Sequence, residues 1–97
     1  MKKGWLITIV RNAVYEIAKE FGVELDANVE FEVSDFRVEF KIVGKGLSDR
    51  SLTVHHNNQY GYSVSHGIHS PSDTKSDMLQ LMVVGKVANR LFTENKL

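Results

Sequence analysis

The hydropathy pattern predicts an α+β fold: a two-layer sandwich built as helix, four-stranded antiparallel meander, helix, with both helices on one sheet face. Three observations carry this. Residues 29–43 alternate apolar and polar side chains almost without a break, the mark of half-buried strands. A second, shorter region of alternation follows at 51–68. Stretches with apolar residues every three or four positions flank both regions, at 5–21 and 70–95, the spacing of helices with an apolar face.

The first helix is predicted from Trp5 to Phe21. Leu6, Ile9, Val10, Ala13, Val14, Ile17 and Phe21 form one stripe, and Arg11, Asn12, Tyr15, Glu16, Lys19 and Glu20 lie opposite. Gly22 is placed to end it as a left-handed cap, with Val23 folding back on the last turn. In the strands that follow, a two-residue turn at Ser34-Asp35 would pair Val33 with Phe36, Phe31 with Val38 and Val29 with Phe40. Every apolar side chain then shares one face. On the polar face this register sets Glu32 against Arg37 favourably and Glu30 against Glu39 unfavourably. After Gly44-Lys45-Gly46, strands at 51–57 and 60–68 read as a second hairpin. A three-residue loop at Asn57-Asn58-Gln59 would pair His56 with Tyr60, Val54 with Tyr62 and Leu52 with Val64. The last helix is expected to start at Ser70 as N-cap, with Pro71 at its first position and Asp73 completing a capping box. Met78, Leu81, Gly85, Ala88 and Phe92 define its expected inward stripe. Leu79, Val83, Val84, Val87 and Leu91 widen the apolar surface, and Leu79, Val83 and Val87 are the expected self-association face, through which the C-terminal helix would form a homodimer.

Ninety-seven residues without cysteine make one domain, with neither a disulfide framework nor a thiolate metal site. No apolar run approaches the ~20 residues of a membrane span. Met1 to Val10 has two lysines before an apolar run, but Thr8, Arg11 and Asn12 interrupt it and no small-residue cleavage site follows. The expectation is a cytoplasmic protein without a secretion signal. The twelve basic and twelve acidic residues cancel, which argues against a dedicated nucleic-acid binder. The charges are uneven: residues 16–39 hold eight acids against Lys19 and Arg37.

Four histidines, His55, His56, His66 and His69, fall within fifteen residues, a composition that could hold metal or move protons. The hairpin disperses them: His55 and His56 point to opposite faces, and His56 and His66 stand about 20 Å apart along the ladder at ~3.3 Å per residue. The row Glu30, Glu39 and His55 would cross an open, flat face that excludes no water. Gly44-Lys45-Gly46 with Arg50 lacks the spacing of a nucleotide loop and leads into no helix. No catalytic residue, metal or cofactor is expected.

These readings favour a non-catalytic module that binds a protein partner, of the small accessory or inhibitory kind common in phages and mobile elements. Its surface would be Glu30, Glu32, Arg37, Glu39 and His55. The alternative is nucleic-acid binding through Lys45, Arg50, Lys75, Lys86 and Arg90, aided by stacking on Tyr60 or Trp5. A small histidine-dependent hydrolase or nuclease is a third reading. The order of elements is similar to that of double-stranded RNA-binding domains, in which two helices cover one face of a three-stranded antiparallel sheet. That resemblance implies a lysine cluster at the start of the second helix. Ser72 to Met78 holds Lys75 together with Asp73 and Asp77, and the sheet has a fourth strand.

Overall fold

The computed structural model describes residues 3–34, 36–59, 61–67 and 73–95, and of 31–34 and 95 the backbone only. The elements are α1 (Lys3–Phe21), β1 (Leu25–Ser34), β2 (Arg37–Gly44), β3 (Arg50–Asn57), β4 (Gly61–His66) and α2 (Thr74–Asn95). The strands form one antiparallel sheet in the order β1-β2-β3-β4. Both helices cover the same face, as the alternation requires.

The core lies between the layers. Leu6, Ile9, Val10, Ala13, Val14 and Ile17 descend from α1 onto Ala27, Val38, Phe40, Ile42, Leu52 and Val54. The stripe expected of α1 is the one buried, except that Phe21 at its end is exposed. Gly22 ends the helix with φ +64°, and the Val23 N–H donates to the Ala18 carbonyl at 3.0 Å. This closes the expected left-handed cap.

The first hairpin departs from simple alternation. Val29 pairs with Phe40 as expected, but register shifts fall between Val29 and Phe31 and between Glu32 and Ser34. Phe31 therefore pairs with Glu39, Glu32 with Val38 and Ser34 with Arg37. The reversal comes one position later than the Ser34-Asp35 turn, whose Asp35 lies outside the described residues. The bulge has a physical logic. The unbroken register would press Glu30 against Glu39. In the bulged one Glu30 lies 3.3 Å from Lys41, and Glu39 lies 3.7 Å from Arg37. A bulge shifts pairing by one residue at the price of one ladder position and a stronger twist.

The second hairpin keeps its expected faces but slides by two residues: His56 pairs with Tyr62, Val54 with Val64 and Leu52 with His66. The loop chemistry explains this. The Gln59 N–H donates to the Asn57 side-chain carbonyl at 2.7 Å, an Asx turn. Gly61, at φ +82°, takes the left-handed position that closes a three-residue hairpin. The predicted contributions of Tyr60 and Ile68 lie outside the described residues.

α2 begins later than expected. Asp73 is its N-cap: Oδ1 accepts from the Ser76 N–H at 3.4 Å and Oδ2 from the Ser76 hydroxyl at 2.7 Å. The cap expected at Ser70, Pro71 and Ser72 lies outside the described residues. α1 and α2 run antiparallel, with Glu16 bridging to Arg90 at 2.7 Å and to Lys86 at 3.3 Å.

Candidate interaction surfaces

The main correction concerns which side of α2 faces the sheet. Leu79, Val83, Val87 and Leu91 point inward, with Val83 and Val87 at 0% exposure. Leu79, Val83 and Val87 therefore cannot serve as a self-association face. The stripe expected to point inward points out: Met78 is 57%, Leu81 53% and Phe92 68% exposed, and Gly85 and Ala88 between them are exposed too. Both stripes are apolar, so hydropathy alone does not choose between them. The polar residues beside the buried stripe do.

Ser76 and Gln80 are both buried and share the inner side with Leu79 and Val83. The Ser76 hydroxyl accepts from the Ser48 N–H at 2.9 Å, and the Ser48 hydroxyl donates to Asp73 at 3.2 Å. Gln80 donates to the carbonyls of Ser51 at 2.8 Å and Gly67 at 3.2 Å. Arg50, only 3% exposed, reaches Asp77 at 2.8 Å and the Asp49 carbonyl at 2.8 Å. The β2–β3 loop and the neighbouring strand ends thus find their hydrogen-bond partners only when this side of α2 faces them. Turning the helix over would take the Gln80 amide away from the carbonyls of Ser51 and Gly67. The hydrogen bonds from the Ser76 hydroxyl, its N–H and Ser48 also hold the Asp73 carboxyl below the ordinary carboxylate value.

The remaining candidates scatter. On the open sheet face lie Glu30, Arg37, Glu39 and His55, with Lys41, Ser63 and Ser65; the Glu32 side chain lies outside the described residues. Among the described side chains here each acid stands beside a base, Glu30 beside Lys41 and Glu39 beside Arg37. His55 pairs with Arg37 and Ser63 across the ladders and approaches the Ser65 hydroxyl at 3.5 Å. Glu39 pairs instead with Thr53, so the row Glu30, Glu39, His55 does not assemble.

His56 sits on the helix side, stacked on Phe36 at 6.3 Å and tilted against Tyr62 at 4.7 Å, with Trp5 beyond at 5.6 Å from Tyr62. Trp5 is thereby half-buried within the fold, and Tyr60 and His69 lie outside the described residues. Among the described residues no three histidines, aspartates or glutamates gather as a metal would need.

The basic set separates as well. Arg50 is buried against Asp77, Lys86 and Arg90 are tied to Glu16, and Lys75 projects near the start of α2. Lys45 lines a groove of about 830 Å³ between the last turns of α1 and the ends of β1 and β2. Gly44, beside it, needs no phosphate to explain it: a Cβ there would stand 2.5 Å from the Glu24 carbonyl oxygen. Among the described residues no helix is long and apolar enough to cross a membrane.

No family model, curated protein or solved structure matches the chain.

Proposed function

We propose that this chain is a non-catalytic protein-binding module of the accessory or inhibitory kind, and that the outer face of α2 is its principal contact surface. One observation carries the reading: Met78, Leu81 and Phe92 are more than half exposed on a helix whose opposite side already fills the core. Large apolar side chains grouped on one exposed face mark interaction surfaces more often than solvation does. Phe21, at the end of α1, adjoins the same region through a groove of about 370 Å³ that Met78 and Met82 also line. The sheet face around Glu30, Arg37, Glu39 and His55 offers a second surface, better suited to setting orientation than to supplying affinity. A chain without cysteine suits a reducing cytoplasm.

The test is capture from native host extract with three baits: the wild-type chain, Leu81→Glu, and Glu30→Lys combined with Glu39→Lys. A protein retained by the wild type and lost with Leu81→Glu supports the reading. Identical retention by the wild type and Leu81→Glu removes α2 as the contact surface.

A further inference from the structure

We infer that the partner of the outer face of α2 is a second copy of this chain, bound through an antiparallel crossing of the two α2 helices centred on Gly85. The inference rests on the protein-binding reading above and names its occupant. Met78, Leu81, Gly85, Ala88 and Phe92 follow one another at steps of three, four, three and four residues. That is the seam of two helices packed side by side. It runs for about 21 Å at 1.5 Å per residue. The fold makes no use of it, because the core takes the other stripe.

Gly85 supplies the second argument. Glycine weakens a helix interior, and a Cβ at Gly85 would meet nothing within 4 Å. The chain's own packing therefore does not require glycine there. A second helix axis crossing at that point gives the missing Cβ a use, because glycine lets two backbones approach more closely than any other residue.

Self-complementarity is the third argument. A two-fold axis at Gly85 sets Gly85 against its own copy, Leu81 against Ala88, and Met78 against Phe92. A large side chain thus meets a small one, and a thioether meets an aromatic ring. None of the five seam residues is charged, so two copies meet along the seam without like-charge repulsion. The seam is short, which places the interface at the small end for specific contacts, below about 1,200 Å² in total.

Sedimentation velocity of the full chain, at roughly tenfold steps from about 1 μM to about 1 mM, tests the self-association. The wild type should move from monomer to dimer. Leu81→Glu and Phe92→Ala should remain monomeric at concentrations where the wild type is dimeric, with unchanged far-ultraviolet circular dichroism. A wild type that stays monomeric throughout overturns the inference, as does a folded Leu81→Glu that still dimerises.

The chain has no cysteine, so single cysteines then report the geometry. Gly85→Cys should oxidise to a cross-linked dimer, because the two-fold axis brings the pair within disulfide reach. Met78→Cys should not link to itself, but should link to Phe92→Cys when the two variants are mixed. Self-linking of Met78→Cys as fast as Gly85→Cys overturns the antiparallel crossing. The two readings fail separately. A monomeric wild type whose capture of another protein still depends on Leu81 removes the second copy and leaves the binding surface in place.

Discussion

α1 and α2 lie antiparallel over one sheet, and each gives it a full apolar stripe, yet their outer sides differ in kind. The outer side of α1 carries Arg11, Asn12, Tyr15, Lys19 and Glu20, of which only Tyr15 is a large exposed hydrophobic. The outer side of α2 carries Met78, Leu81, Gly85, Ala88 and Phe92. An amphipathic helix declares its orientation through its polar side. A helix with two apolar sides cannot, and polar groups elsewhere in the chain orient it. In α2 those groups are Ser76, Asp77 and Gln80, which meet the β2–β3 loop and strand ends some 27 to 29 positions away.

Five substitutions can break or sharpen that contrast. The largest effect is expected from Leu79→Ala, which opens a cavity in the core and should lower stability by about 2–5 kcal/mol. Its neighbour on the other side, Leu81→Ala, should change the stability of the dilute monomer by less than about 0.5 kcal/mol. Thermal unfolding at low micromolar protein separates the two; equal losses would mean that both sides of α2 are packed.

Next comes Asp77→Ala, which leaves the buried Arg50 guanidinium without its carboxylate. The loss should be about 2–3 kcal/mol, below the usual figure for breaking a buried pair because Asp77 is itself partly wet. Urea unfolding at neutral pH measures it.

Gly85→Ala should act in the opposite direction, stabilising the monomer by up to about 1 kcal/mol, since the added methyl meets open space and the helix gains propensity. A destabilised monomer would show that Gly85 already touches something within the chain.

The smallest effect is expected at Asp73, and it depends on pH. Its folded carboxyl titrates below the ordinary carboxylate value. The stabilisation is therefore complete above that ordinary value and is lost as the pH falls through the lowered folded one. Asp73→Asn keeps an acceptor at the N-cap and removes this titration. Melting temperatures between neutral pH and pH 3 should fall less steeply for the variant than for the wild type, with pH 3 lying just below the ~3.9 of a free aspartate.

Much of this fold was legible in the residues themselves. The buried stripe of α1, its cap at Gly22, the inward faces of β2 and β3 and the dispersal of His55 and His56 all follow from local periodicity, and the structure has them. What went unread was mostly local chemistry in competition with alternation. The like-charge clash of Glu30 with Glu39 pointed toward a bulge, and Asn57 with Gly61 pointed toward the loop that sets the second hairpin's register. Alternation outweighs the first signal and is silent on the second, because a slide of two residues leaves every side chain on its face. The outward seam on α2 was visible as a spacing but not as a direction.

The residues alone determined the kind and order of the elements and which side of the sheet is apolar, because periods of two and of three to four residues are properties of neighbouring positions. Only the tertiary structure decided which stripe of α2 meets the sheet and where β1 bulges. The reason is physical: a helix with two apolar sides buries either equally well, so the choice falls to hydrogen bonds with strands and loops far along the chain. Local pattern holds no record of those meetings.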